Sequence, residues 1–148
     1  MTRAARAQAL VFLAVALPAF VAMVGLAIDG ALLLTARREL QSVVDGAARA
    51  GATRIDVDAL RGPRAEIKLD QARARATTLG YLDESLATDV AWQAPPTAHV
   101  EVGRLRVSVA VNGELRTAFL RAVGVDRVPL AASSDADVQF GVRTHGDS

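Results

Sequence analysis

The chain has 148 residues, 17 basic and 16 acidic side chains, a net charge of +1 and no cysteine. That length holds one anchor and one small domain. Lack of cysteine excludes disulfides, thiol catalysis and sulfur-ligated zinc, and the mixed charge offers no basic face for nucleic acid.

The first element is an uncharged run from Ala7 to Ile28 in which Gln8 is the only polar side chain; Arg3 and Arg6 precede it and Asp29 closes it. About 20 such residues, each rising about 1.5 Å, cross the hydrocarbon core of a bilayer. We read the run as a transmembrane helix. A cleaved secretory signal competes, because the two arginines form a basic n-region and Gly25-Leu26-Ala27 suits a small-x-small cut. Against it, the core exceeds the usual length of about 7–15 residues, and Pro18 stands near its centre. A buried core helix is the third reading, disfavoured by apolar residues on every face.

Four residues of this run are candidate span or assembly positions. Pro18 removes one helical hydrogen bond and marks a point where the helix can bend. Gly25 and Gly30 permit close approach of another helix. Asp29 has two readings: it pairs with a basic group of a neighbouring subunit, or it marks the wet boundary of the span. Counting one membrane thickness from Ala9 favours the boundary.

Helical periodicity continues past Asp29. Ala36, Leu40, Val43, Val44, Ala47, Ala48 and Gly51 recur at three- and four-residue intervals, while Arg37, Glu39, Gln41, Asp45 and Arg49 fall largely opposite. Leu40, Val43, Val44 and Ala47 form the candidate packing stripe. The spacing predicts one helix from about Ala4 to Thr53, all-round apolar first and amphipathic later. It breaks at Gly51, Asp56-Val57-Asp58, Gly62 and Pro63.

A second helix is predicted over Asp70–Leu79, with Ala65, Ile67, Leu69, Ala72, Ala76 and Leu79 on one side and Gly80 as its stop. Strand signals follow: Val90 and Trp92 before Pro95-Pro96, then Val100 and Val102. Leu105, Val107, Val109 and Val111 give the clearest alternation. Asn112-Gly113 signals a turn, Leu115–Val123 a short helix ending at Gly124, and Val128–Phe140 a last strand. The tail from Gly141 is polar.

Catalytic patterns are weak. His99 and His145 are far apart, Asp56-x-Asp58 lacks the glycine and final glutamate of a calcium loop, and Ser133-Ser134 lacks a nucleophile-elbow context. The expectation is no enzyme, no metal site, no cofactor and no nucleic-acid partner.

The opening resembles the TadE/TadG-like proteins of the tight-adherence (Flp) pilus system. Arg6-Ala7-Gln8-Ala9-Leu10-Val11-Phe12, Leu17-Pro18, Ala27-Ile28-Asp29-Gly30, Ala36-Arg37-Arg38-Glu39-Leu40-Gln41 and Val44–Ala52 carry the likeness. Phe119–Val125 and the strand after it look like the end of a TadE-type domain. Ala7 and Phe12 stand where peptidase-processed pilins carry glycine and glutamate, so an uncut chain of the TadG-like kind is implied. The resemblance also implies a cytoplasmic N-terminus, an extracytoplasmic C-terminal domain, an inner-membrane address, and pilus-assembly or pilin-like partners. Homo- or hetero-oligomers would form through the N-terminal helix.

The expected architecture is α+β: a long transmembrane-plus-amphipathic helix, a second short helix and a small antiparallel sheet, as in pilins. Its parts are a cytoplasmic N-terminus (1–6), the span and its exit (7–35), the amphipathic continuation (36–62), the outer domain (63–140) and a flexible tail (141–148). The function expected is a membrane-anchored structural component of a Tad/Flp-type pilus or related secretion apparatus. The alternative is a bitopic protein with an extracytoplasmic ligand-binding or sensor domain.

Overall fold

A computed structural model describes residues 3–87, 92 and 94–138, with side-chain placement for Gln8 and from Leu10 onward. Val90, Phe140, His145 and the tail from Gly141 lie outside the described residues.

One helix, α1, runs unbroken from Arg3 to Ala52 and passes through Pro18. At about 1.5 Å per residue it is about 75 Å long. A short helix α2 (Val57–Arg61) follows, capped by the Asp56 carboxylate, which accepts the Ala59 N–H at 3.0 Å. Helix α3 (Gln71–Leu86) is capped the same way, Asp70 accepting from the Arg73 N–H at 3.1 Å. Strands β1 (Thr97–Val102), β2 (Arg106–Arg116) and β3 (Arg127–Asp137) complete the fold, with a 3-10 turn at Leu120–Val123 between β2 and β3. The chain is α+β.

The sheet is antiparallel in the order β1-β2-β3. Val102 pairs with Val107 at one end of β1 and Thr97 with Asn112 at the other. The β2–β3 ladder runs from Arg106 opposite Asp137 to Arg116 opposite Arg127. Alternation along β2 turns Val107, Val109, Val111 and Leu115 inward, where they are buried against α1 and α3.

The outer half of α1 is the spine of this core. Leu40, Val44, Ala47 and Ala48 are buried, and Val43 is half-buried against the same cluster. Small residues let α3 approach closely. A Cβ on Gly46 would lie 2.5 Å from the Tyr81 hydroxyl, and one on Gly51 would collide with the Thr78 side chain.

Four expectations change. Gly80 does not stop α3: it keeps helical backbone, and the helix continues to Leu86 with Leu82 buried beyond the glycine. The buried face of α3 is Ala74, Thr78 and Leu82, whereas Ala72, Ala76 and Leu79 are exposed. Ala65 and Ile67 precede the helix, so a helical period counted through them is out of phase. Asn112-Gly113 is no turn but lies within β2, and Leu115 belongs to that strand too. A Cβ on Gly113 would stand 2.5 Å from the Trp92 ring, so the glycine is required by tertiary packing.

Candidate functional site

The inner half of α1 carries almost no packing. Leu10, Phe12, Leu17, Phe20 and Met23 are all more than half exposed, at 59–71%. Of the most apolar stretch only 6% is buried. Such a helix is long and apolar enough to cross a membrane. A soluble domain would leave this surface in contact with water at high cost.

Where this bare half meets the domain, Asp29 is 2% exposed. Its carboxylate accepts three consecutive backbone N–H groups: Ala118 at 3.0 Å, Phe119 at 2.9 Å and Leu120 at 2.6 Å. Asp29 therefore does not stand in water, as the boundary reading expected, but is buried against its own chain. It holds the β2–β3 connection of its own chain. These amides open the 3-10 turn and lack carbonyl partners within it, so the carboxylate supplies the acceptors.

Gly25, one helical turn before Asp29, is the matching contact. It is buried, and a Cβ there would lie 2.8 Å from the Phe119 side chain. Gly25 thus accommodates an aromatic ring of the domain. At Gly30 nothing stands within 4 Å of where a Cβ would lie, so the helix is open on that side. Pro18 borders an apolar groove with Leu17, Val21, Leu26, Phe119 and Val123.

The geometry follows from element lengths. From Asp29 to Gly51 α1 rises about 33 Å, and the residues from Val107 to Thr117 on an extended strand cover nearly the same distance. Val107 lies beside Gly51. Strand β2 therefore descends antiparallel to α1 and delivers residues 118–120 to Asp29. Beyond them Gly124 closes the 3-10 turn at φ 88°, in the left-handed region that glycine tolerates.

Polar residues elsewhere serve the fold. Gln41, expected on the wet side, is half-buried and donates to the Ser133 carbonyl and to Asp45, each at 3.0 Å. The Asp45 carboxyl is held below the usual carboxylate range, first by a hydrogen bond from Ser134 and then by Gln41. His99 pairs with Glu101 at 3.1 Å on the exposed side of β1. Asp56, besides capping α2, pairs with Lys68 at 3.4 Å. Among the described residues no group of three His, Cys, Asp or Glu is placed to hold a metal ion.

Residues 7–54 match the family model described as putative Flp pilus-assembly TadE/G-like. This part of the chain is similar to that family. The matched segment covers the apolar half of α1, Gly25, Asp29 and the whole packing stripe, and it stops just past the helix end. Phe119–Val125 lies outside it. No curated protein and no solved structure matches the chain. The family match and the apolar helix together support a pilus-associated membrane component.

The residues that sequence reasoning missed are Ala118, Phe119 and Leu120 as the partners of Asp29. One signal was present: a carboxylate closing an apolar run needs compensation, and Phe119-Leu120 is an apolar pair between two polar strand ends.

Proposed function

We propose that the protein is a pilin-like structural or assembly component of a Tad/Flp-type pilus or a related secretion apparatus. The observation that carries this reading is the continuity of α1, whose bare first half leads without a break into the core of the domain. Force applied to the domain would pass to the membrane along one helix, with the Asp29 clasp preventing the β2–β3 end from peeling away. The role is mechanical rather than catalytic, and the partners are other pilus-assembly or pilin-like proteins. The N-terminus is cytoplasmic, the domain extracytoplasmic, and the chain remains uncut by a prepilin peptidase.

Deletion of the gene in a Tad-pilus-bearing host, with complementation, tests this. Loss of surface filaments, restored by the wild-type chain, is expected. Unaltered piliation would overturn the reading. An alkaline phosphatase fused after Ser148 should be active; an inactive fusion beside an active cytoplasmic reporter would reverse the topology. Leu17→Arg, at the exposed middle of the run, should cost about 2.5–3.5 kcal/mol of insertion and lower membrane retention.

A further inference from the structure

We propose that the β2–β3 connection, Phe119–Val125, is a wedge that inserts into the lipid leaflet on the domain side, beside α1. This rests on the reading of α1 as a membrane anchor and goes beyond it, because it places part of the folded domain below the membrane surface. Three observations point to lipid.

The first is where the connection lies. Phe119 packs at Gly25 and shares a groove with Leu26, Val21 and Leu17. Those helix positions lie about 4.5 to 18 Å inward from Asp29, at about 1.5 Å per residue. Phe119 is 46%, Val123 75% and Val125 41% exposed, and Phe119 and Val123 line the same groove as the bare apolar residues of the span. Val123 is the most exposed of the three, and fluid acyl chains can surround it.

The second is the backbone. Irregular chain in hydrocarbon must satisfy its own N–H groups, whereas a water-facing loop need not. Here Asp29 accepts residues 118, 119 and 120. The Ala122 N–H donates to Phe119 at 2.9 Å, Gly124 to Arg121 at 3.1 Å and Val125 to Leu120 at 3.0 Å. At the neck the Thr117 N–H donates to Asp126 at 3.2 Å, and its hydroxyl donates to the Val125 carbonyl.

The third is charge. Arg116, Arg121 and Arg127 line one hollow at the neck with Thr117 and Asp126, and Arg127 also pairs with Glu114 at 3.3 Å, which leaves the arginines in excess there. An apolar tip below a cluster of arginines matches an acyl region below anionic phosphates. The long stem of Arg121 lets its guanidinium reach that level while the turn is submerged.

Depth-dependent quenching tests the wedge on the full chain. The chain carries Trp92→Phe and one added tryptophan, and it is reconstituted in phosphatidylcholine–phosphatidylglycerol vesicles with brominated acyl chains. Val123→Trp is expected to lose about twofold in fluorescence, as for an element seated at the headgroup–acyl boundary. Glu101→Trp, on the outer strand, should keep its intensity, and Phe12→Trp, within the span, should be quenched. An unquenched Val123→Trp beside a quenched Phe12→Trp would overturn the wedge and leave the anchor standing. An unquenched, blue-shifted Val123→Trp that crosslinks to a second copy would overturn it in favour of a protein partner. If Phe12→Trp is also unquenched, the anchor itself fails and the wedge with it.

Discussion

The carboxylate of Asp29 accepts the backbone N–H of Phe119 at 2.9 Å, across 90 residues of sequence. The same pair of segments meets again one helical turn away, where the Phe119 ring covers Gly25. Helix and loop are thus joined by one polar and one apolar contact, and each can be broken separately.

Asp29→Ala should leave the three amides of residues 118–120 without acceptors. Hydrogen bonds to a charged group contribute about 1.5–3 kcal/mol each, and they are not additive within one site. A loss of about 3 kcal/mol is expected in thermal melts of the detergent-solubilised chain. Hydrogen exchange should localise the change, with protection lost at residues 118–120. Asp29→Asn keeps one acceptor oxygen and should fall between.

Gly25→Ala and Gly30→Ala form a contrasting pair on the same helix. The first inserts a methyl group against Phe119 and should loosen the loop, as overpacking costs about 1–3 kcal/mol. The second meets open space and should be neutral or raise stability by up to about 1 kcal/mol, since alanine favours helix. Limited proteolysis near Arg121 reads the difference. Equal cleavage in both variants would mean that the Phe119 contact does not hold the loop.

Val44→Asp would bury a carboxylate at a fully buried position of the α1 seam and should cost about 3 kcal/mol or more. Arg38→Ala, at an exposed position of the same helix, should stay within about 0.5 kcal/mol. Gln41→Ala should cost about 1 kcal/mol, because it removes the tie to the Ser133 carbonyl. Thermal midpoints rank the three. A midpoint for Val44→Asp equal to wild type would make the outer half of α1 a free stalk.

Acid should weaken the end of the β2–β3 ladder where Arg106 faces Asp137, opposite the Asp29 clasp. Arg106 clasps Asp137 at 2.7 and 3.0 Å and holds its carboxyl below the ordinary range, chiefly by that hydrogen bond. A depressed folded-state pKa contributes stability that is present above the unfolded value, about pH 4, and is lost as pH falls through the folded value. Asp45 and Asp56 are depressed too, so the midpoint should fall below about pH 4. Asp137→Asn should flatten part of that slope. Because the pair is well exposed, added salt should weaken its share.

The sequence by itself determined the long apolar helix, its amphipathic continuation and the strand alternation. Each rests on a local period: all-round apolarity at Leu10–Ile28, three- and four-residue spacing at Leu40–Ala47, and twofold spacing at Val107–Val111. Local signals failed where distant residues decide. Gly113 reads as a turn but sits inside β2 because the Trp92 ring needs its face, and Gly80 reads as a stop but faces open space on a helix held by Leu82 beyond it. The Asp29 clasp was beyond local reading because a carboxylate's partners here are backbone amides, which every sequence position offers alike. Only the equal lengths of outer α1 and β2, set side by side by packing, select residues 118–120.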